Sequence, residues 1–157
     1  MLIRRAKSND ALKIKQIHNK AYQISYRGYL PDAYLDTLSV QEDDILKMQN
    51  HLQTAECYVV VEQEEIIAFA IVDCSFENCF EIQSLYVSPD CQKSGAGTLL
   101  VNYLCQNKKQ LGYKRCLIWT MDEGPSVGFY EKLYFYRTGN KKMWKFDILI
   151  AEMVKML

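Results

Sequence analysis

The 157-residue chain predicts a mixed α/β fold built on one central sheet, and three features point to it. A strand-like run, EIQSLYV (81–87), is followed by the glycine turn SGAG (94–97) and by helical spacing from Gly95 to Leu111. A second buried-strand pattern, RCLIWTM (115–121), comes next, and strand–helix–strand units of this length cross over right-handed with their strands parallel. Upstream, CYVVVEQ (57–63) and IIAFAIVDCS (66–75) form a hairpin about an acidic turn at Glu64-Glu65. The length suits one domain, 1–157, around one core.

The remaining elements are read in order. Leu2 to Ala6 is a short first strand, and Ser8 or Asn9 caps a helix running to about Tyr26, with Leu12, Ile14, Ile17, Ala21 and Ile24 as its apolar side. Pro31 opens a second short helix, and Val40 to Gln53 is amphipathic through Ile45, Met48 and Leu52. Gly112 is placed to end the long helix, and Pro125 to start a last one that reaches about Tyr134. The tail ILIAEMVKML fits a helical and an alternating period about equally.

Composition removes several function classes. Basic and acidic residues number 19 each, which leaves no net charge to hold a nucleic acid. No apolar run approaches a bilayer span, and Met1 to Arg5 lacks a secretion signal's hydrophobic core, so a cytoplasmic protein without a membrane partner is expected. Six cysteines contain no Cys-x-x-Cys pair, and with only His18 and His51 available neither a metal site nor a disulfide framework is expected. Cys91 lies beside the glycine turn, but no base can be assigned to make it a nucleophile.

That turn carries the chemistry. Gly95 and Gly97 are both expected to adopt positive φ, so that successive N–H groups converge on one spot at a helix N-terminus and favour an anion, most simply a phosphate. Leu100 excludes a dinucleotide fingerprint, and Thr98-Leu99 exclude a P-loop. What stands there is Gln92-x-x-Gly95-x-Gly97 preceded by LYVSP, and a later block, SVGFYEKLYF (126–135), holds a Phe-Tyr pair. Together, in this order and at this separation, the two blocks resemble the GNAT superfamily of acetyl-coenzyme A dependent N-acetyltransferases.

The resemblance implies a mixed, mostly antiparallel twisted sheet of about 6–7 strands with about four helices, ending in a β-hairpin, which favours strand for the tail. It also implies acetyl-coenzyme A as co-substrate, no metal, and direct transfer to an unidentified amine, with a homodimer left open. By the same resemblance, Gln92, Lys93, Ser94, Gly95, Ala96, Gly97 and Thr98 hold the pyrophosphate. Leu85, Tyr86 and Val87 run beside the pantetheine arm, and Phe129 and Tyr130 lie by the coenzyme, with Tyr130 acting near its sulfur. Glu81 is the base candidate, and Tyr26, Arg27, Tyr29 and Asp32 are drawn to one wall of the acceptor pocket. By residue type alone those tyrosines read as two helices packing together, Phe129-Tyr130 as core aromatics, and Glu81 as a solvated strand end. Glu123 stands where many members have asparagine, and Tyr134 replaces the usual glycine before Phe135. An acyl-coenzyme A sensor without turnover, or a protein-interaction module, are the other readings.

Overall fold

The computed structural model describes residues 1–157. Strands β1 (Leu2–Arg5), β2 (Glu56–Glu62), β3 (Glu65–Asp73), β4 (Cys79–Val87), β5 (Arg115–Met121), β6 (Tyr136–Met143) and β7 (Leu149–Met156) make one seven-stranded sheet in the order β1-β2-β3-β4-β5-β7-β6. Helices α1 (Ala11–Ser25), α2 (Asp32–Asp36), α3 (Glu42–Thr54), α4 (Ala96–Gln110) and α5 (Val127–Lys132) complete it. The β4–β5 ladder is parallel, as a strand–helix–strand unit requires, while β1–β2, β2–β3, β5–β7 and β6–β7 are antiparallel. The tail is strand, paired on both sides by β5 and β6. All five helices read from the sequence form, in keeping with the about four that the resemblance implies.

The residues group into two compact units. The first comprises Met1–Val72 and Ser84–Val101. Its core sets Ile14 and Ile17 of α1 against Cys57, Val59, Ile66, Phe69 and Ile71 of β2 and β3, with Met48 and Leu52 of α3 packed on it. The spacing of Ile14 and Ile17 is the helical period that puts both on one face. Entry to α1 is fixed by Asp10, buried, which takes two hydrogen bonds from the Arg4 guanidinium (2.7 and 3.0 Å) and one from the Lys7 amide (2.7 Å). The Arg4 hydrogen bonds hold the Asp10 carboxyl below its usual range. The β2–β3 turn falls on Gln63 and Glu64, both left-handed, one residue earlier than the sequence suggested. Two left-handed central residues are what a two-residue hairpin with the natural strand twist demands.

The second unit comprises Asp73–Gln83 and Asn102–Leu157. Cys116, Ile118 and Met153 are wholly or almost wholly buried there, and the edge strand β6 is exposed at every residue. Arg137 and Lys141 of β6 both bind the Asp122 carboxylate just past β5, and Asp122 N–H donates to Leu149 O (3.0 Å). Asn78, left-handed at φ 56°, turns the chain into β4, which starts two residues before the predicted Glu81.

Two glycine expectations resolve differently. Gly95 is left-handed (φ +89°), but Gly97 is a buried residue in the first turn of α4 and is not among the positive-φ glycines. A helix that begins at Ala96 leaves Gly97 with ordinary helical dihedrals, which corrects the prediction that both would be left-handed. Tyr134 keeps the helix-ending geometry of the glycine it replaces: its φ is +67°, and Phe135 N–H donates to Tyr130 O (3.1 Å).

Candidate functional site

The glycine turn lies wholly in the first unit. Ser88 N–H donates to Ile67 O (2.7 Å) and fixes the exit from β4, and a 3₁₀ turn over Pro89–Cys91 follows. Lys93 (φ +64°) and Gly95 (φ +89°) are both left-handed, so the chain doubles sharply before α4. Leu99 N–H closes the first helical turn on Gly95 O (2.9 Å), and Ser94 Oγ accepts from the Ala96 amide (3.3 Å). The amides of Gly95, Gly97 and Thr98 donate to no acceptor within the chain, as expected for the start of a 15-residue helix. A Cβ built on Gly95 would meet no atom within 4 Å, so its open side is available to a ligand. Gln92, Lys93 and Ser94 are exposed around it, whereas Ala96 and Gly97 face inward. The nearby Asp90 carboxylate is paired with Lys20 of α1 (2.6 Å), which offsets a negative charge beside an anion site.

The same unit builds an aromatic cluster that sequence reasoning saw only in part. Tyr86 of β4 meets Phe69 (5.7 Å between centroids) and the edge of His18 (5.0 Å), and His18, Tyr22 and Tyr26 follow one another at four-residue intervals along α1. Tyr26 and Tyr86 are hydrogen-bonded through their hydroxyls, while burial pushes the Tyr26 phenol up. Burial raises Tyr22 much further. The i, i+4 spacing of 18, 22 and 26 was the available signal. Of the other wall residues, Arg27 is bonded to Asp32 (3.2 Å) and Asp36 (2.9 Å), and Tyr29 is about half exposed (48 %). The structure thus gathers Tyr26 with Tyr86, and gathers Arg27 with its own two carboxylates.

Along β4 the main chain runs on well past its ladder with β5, which pairs Cys79, Phe80 and Glu81 with Arg115, Cys116 and Leu117. Leu85 and Val87 lie in that continuation.

The second unit holds the ionisable side chains. Tyr130 is buried on α5, with Phe129 (5.0 Å) and Phe135 (5.4 Å) edge-on to its ring. Glu81 is half-buried opposite Leu117, and that burial pushes its carboxyl up. Lys142 pulls it down, and Asp73 and Glu152 push it further up. Glu152 is anchored through Oε1 by Thr138 Oγ1 (2.6 Å) and Asn140 Nδ2 (2.9 Å), and Asp73 accepts from the Ser75 amide (2.9 Å). Lys142 Nζ sits over the Trp119 indole, 4.0 Å from its centroid. Trp119, Glu152 and Lys142 were missed because only strand register brings them together: Trp119 faces Glu152 across β5–β7 and Lys142 faces Ile150 across β6–β7. No three His, Cys, Asp or Glu side chains cluster to hold a metal, and all six cysteines are free thiols.

Chemically, the turn can hold an anion by main-chain amides, the buried phenol can donate a hydrogen bond to developing negative charge, and a carboxylate with raised proton affinity can accept a proton.

Comparison with known proteins bears on this arrangement. The Acetyltransferase (GNAT) family model matches residues 13–135, which include the turn and Tyr130. A curated relative, an uncharacterized N-acetyltransferase YuaI of Bacillus subtilis, is 24% identical over 136 residues, covering 82% of this chain and 76% of its own. Among solved structures, the PaiA N-acetyltransferase of Thermoplasma acidophilum in complex with coenzyme A superposes with a TM-score of 0.79 at 17% identity, over 96% of both chains. The ribosomal-protein-alanine N-acetyltransferase of Brucella melitensis does so at 0.75 and 20% identity, over 100% of both.

Proposed function

The chain belongs to the Acetyltransferase (GNAT) family, and on that premise we propose that it moves acetyl from acetyl-coenzyme A directly to an amine, as one N-acetyltransferase domain over 1–157. It is an acetyltransferase, and acetyl-coenzyme A is its donor. The carrying observation is the turn with left-handed Gly95 and uncommitted amides at Gly95, Gly97 and Thr98, the kind of main-chain donors that bind a phosphate group. Lys93 adds positive charge at its rim, and Gln92 and Ser94 add polar side chains. The β4 continuation through Leu85 and Val87 offers main-chain donors and acceptors to an extended amide-bearing arm, in the manner of an added strand.

When bound, the thioester supplies an activated acyl carbon and a thiolate leaving group. Tyr130 is assigned to the thiolate. A phenol pKa of ~10 against a thiol's ~8.5 makes full proton transfer uphill by about 2 kcal/mol, so its part is a hydrogen bond to charge as it develops. Glu81 is assigned to the amine proton, either directly or through a water. Its burial raises its affinity for that proton. Tyr26 and Tyr86 are assigned to the acceptor side in preference to Arg27 and Asp32, whose charges are already paired with each other.

No helix is long and apolar enough to cross a membrane, and six free thiols suit a reducing cytoplasm. The test is a panel of amines, from α-amino peptides to diamines and aminoglycosides, scored by coenzyme A thiol release. Release above the hydrolysis background with at least one amine is the expected result. Binding of acetyl-coenzyme A with no release across the panel would make the protein a sensor.

A further inference from the structure

Lys142 belongs to an edge strand whose every residue is exposed, and nothing in its sequence context marks it out. Its side chain nevertheless crosses the sheet. It starts from the β6 position opposite Ile150 of β7 and ends with its ammonium over Trp119 of β5, at 4.0 Å from the ring centroid, well inside the range of a cation–π contact. Trp119 is two residues from Leu117, the partner of Glu81, and faces Glu152. The charges acting on Glu81 are therefore Asp73 from the end of β3, Glu152 from β7 and Lys142 from β6, and Lys142 is the only cation. Both other carboxylates are held in place, Glu152 by Thr138 and Asn140 and Asp73 by the Ser75 amide.

We propose that Lys142 is a positioning residue for acetyl transfer: parked on Trp119, its ammonium keeps the Glu81 carboxylate ionised, and so able to take the amine proton, against the fixed charges of Asp73 and Glu152. The inference rests on the assignment of Glu81 as the proton acceptor. Lys142 itself touches neither donor nor acceptor in this role. The indole matters because it fixes where the ammonium stays, and a guanidinium, which stacks on indole at least as well, can replace it.

The test uses the whole chain labelled with ¹³C at the glutamate side-chain carboxyls, the Glu81 signal being identified by its loss in Glu81→Gln. Protein alone is titrated as wild type, Lys142→Met and Lys142→Arg, and the pH profile of kcat/KM is recorded for each with the best amine of the panel. Lys142→Met should move the Glu81 midpoint and the acid limb of the profile to higher pH together. Turnover should fall severalfold on the limb and recover on the alkaline plateau, and Lys142→Arg should restore both curves. An unmoved midpoint in folded Lys142→Met overturns the proposal. A moved midpoint with an acid limb that persists in Glu81→Gln overturns it differently, because the Glu81 assignment has then failed while the electrostatic link stands.

Discussion

Gly95 allows the anion turn to be tested by one substitution with an internal control. Gly95 and Gly112 have nearly the same backbone, φ +89° and +93°, and at each a Cβ would meet no atom within 4 Å. Replacing either with valine therefore imposes a comparable conformational penalty, on the order of 1–2 kcal/mol or somewhat more for a β-branched residue in the left-handed region, with no steric clash inside the chain. At about 2 cal/mol/K of unfolding entropy per residue, a chain of this length loses roughly 3–6 °C in melting temperature from that penalty. Acetyl-coenzyme A at 100 times its dissociation constant stabilises the wild type by about 2.7 kcal/mol, a rise of roughly 8 °C. Differential scanning fluorimetry with and without the ligand separates the two effects. Both variants should melt lower than wild type, Gly112→Val should keep the full ligand shift, and Gly95→Val should lose it because its side chain fills the open side of the turn. An undiminished shift in folded Gly95→Val would refute the assignment of the turn.

Three further outcomes are expected. Tyr130→Phe should lower kcat by on the order of 10²–10⁴-fold while the acetyl-coenzyme A shift stays within about a degree of wild type, as read by thiol release and fluorimetry; equal kcat would return Tyr130 to the core. Glu81→Gln should slow turnover yet raise the melting temperature at neutral pH. A carboxyl whose folded pKa lies above its unfolded value favours folding only below the unfolded value and loses that contribution as pH rises through the folded one. The neutral amide keeps it, so the gap should close toward pH 4, and a gap independent of pH would show that Glu81 is not destabilised by burial. Tyr134→Gly should hold or raise stability by up to about 1 kcal/mol in urea denaturation, because Tyr134 sits at φ +67° with its side chain 83 % exposed; a loss above 1 kcal/mol would mean that its ring is packed more tightly than this exposure indicates.

What the sequence made legible follows from how local each signal is. Strand β5 carries its strand-forming pattern in seven consecutive residues, and its bounds, Arg115–Met121, match the sequence reading. The turn was recognisable because glycine spacing and a following helix are contiguous. Even so, the choice between Gly95 and Gly97 as the left-handed residue depended on where α4 starts, which neither glycine states. Tyr134 shows the converse. Loss of the family's glycine at this position suggests a different helix end, yet the left-handed backbone persists with a tyrosine that has no preference for it. The surroundings of Glu81 were not legible at all. Asp73, Glu152, Trp119 and Lys142 lie on four strands, and register, which a single sequence does not encode locally, decides that they share a neighbourhood.

With Glu81 as the proposed proton acceptor, that neighbourhood bears on which amines the proposed reaction favours. An alkyl amine with pKa ~10.4 is neutral about once in 2,500 molecules at pH 7, a handicap of about 4.6 kcal/mol, whereas an α-amine near ~7.8 is neutral more than a tenth of the time. A carboxylate with ordinary proton affinity is a poor match for the first class, because the proton must move steeply uphill from amine to base. Burial narrows that mismatch by raising the proton affinity of Glu81, and the flanking carboxylates narrow it further. The gain has a limit, since a carboxyl that is protonated at working pH accepts nothing, and Lys142 is the one charge that opposes that outcome. Burial that raises proton affinity and a single cation that preserves ionisation are the two conditions that general-base catalysis near neutral pH sets against each other. The stake is higher for an alkyl amine than for an α-amine. The pH profile, compared between one acceptor of each class, therefore reports on the base more sharply than the rate with either acceptor at a single pH.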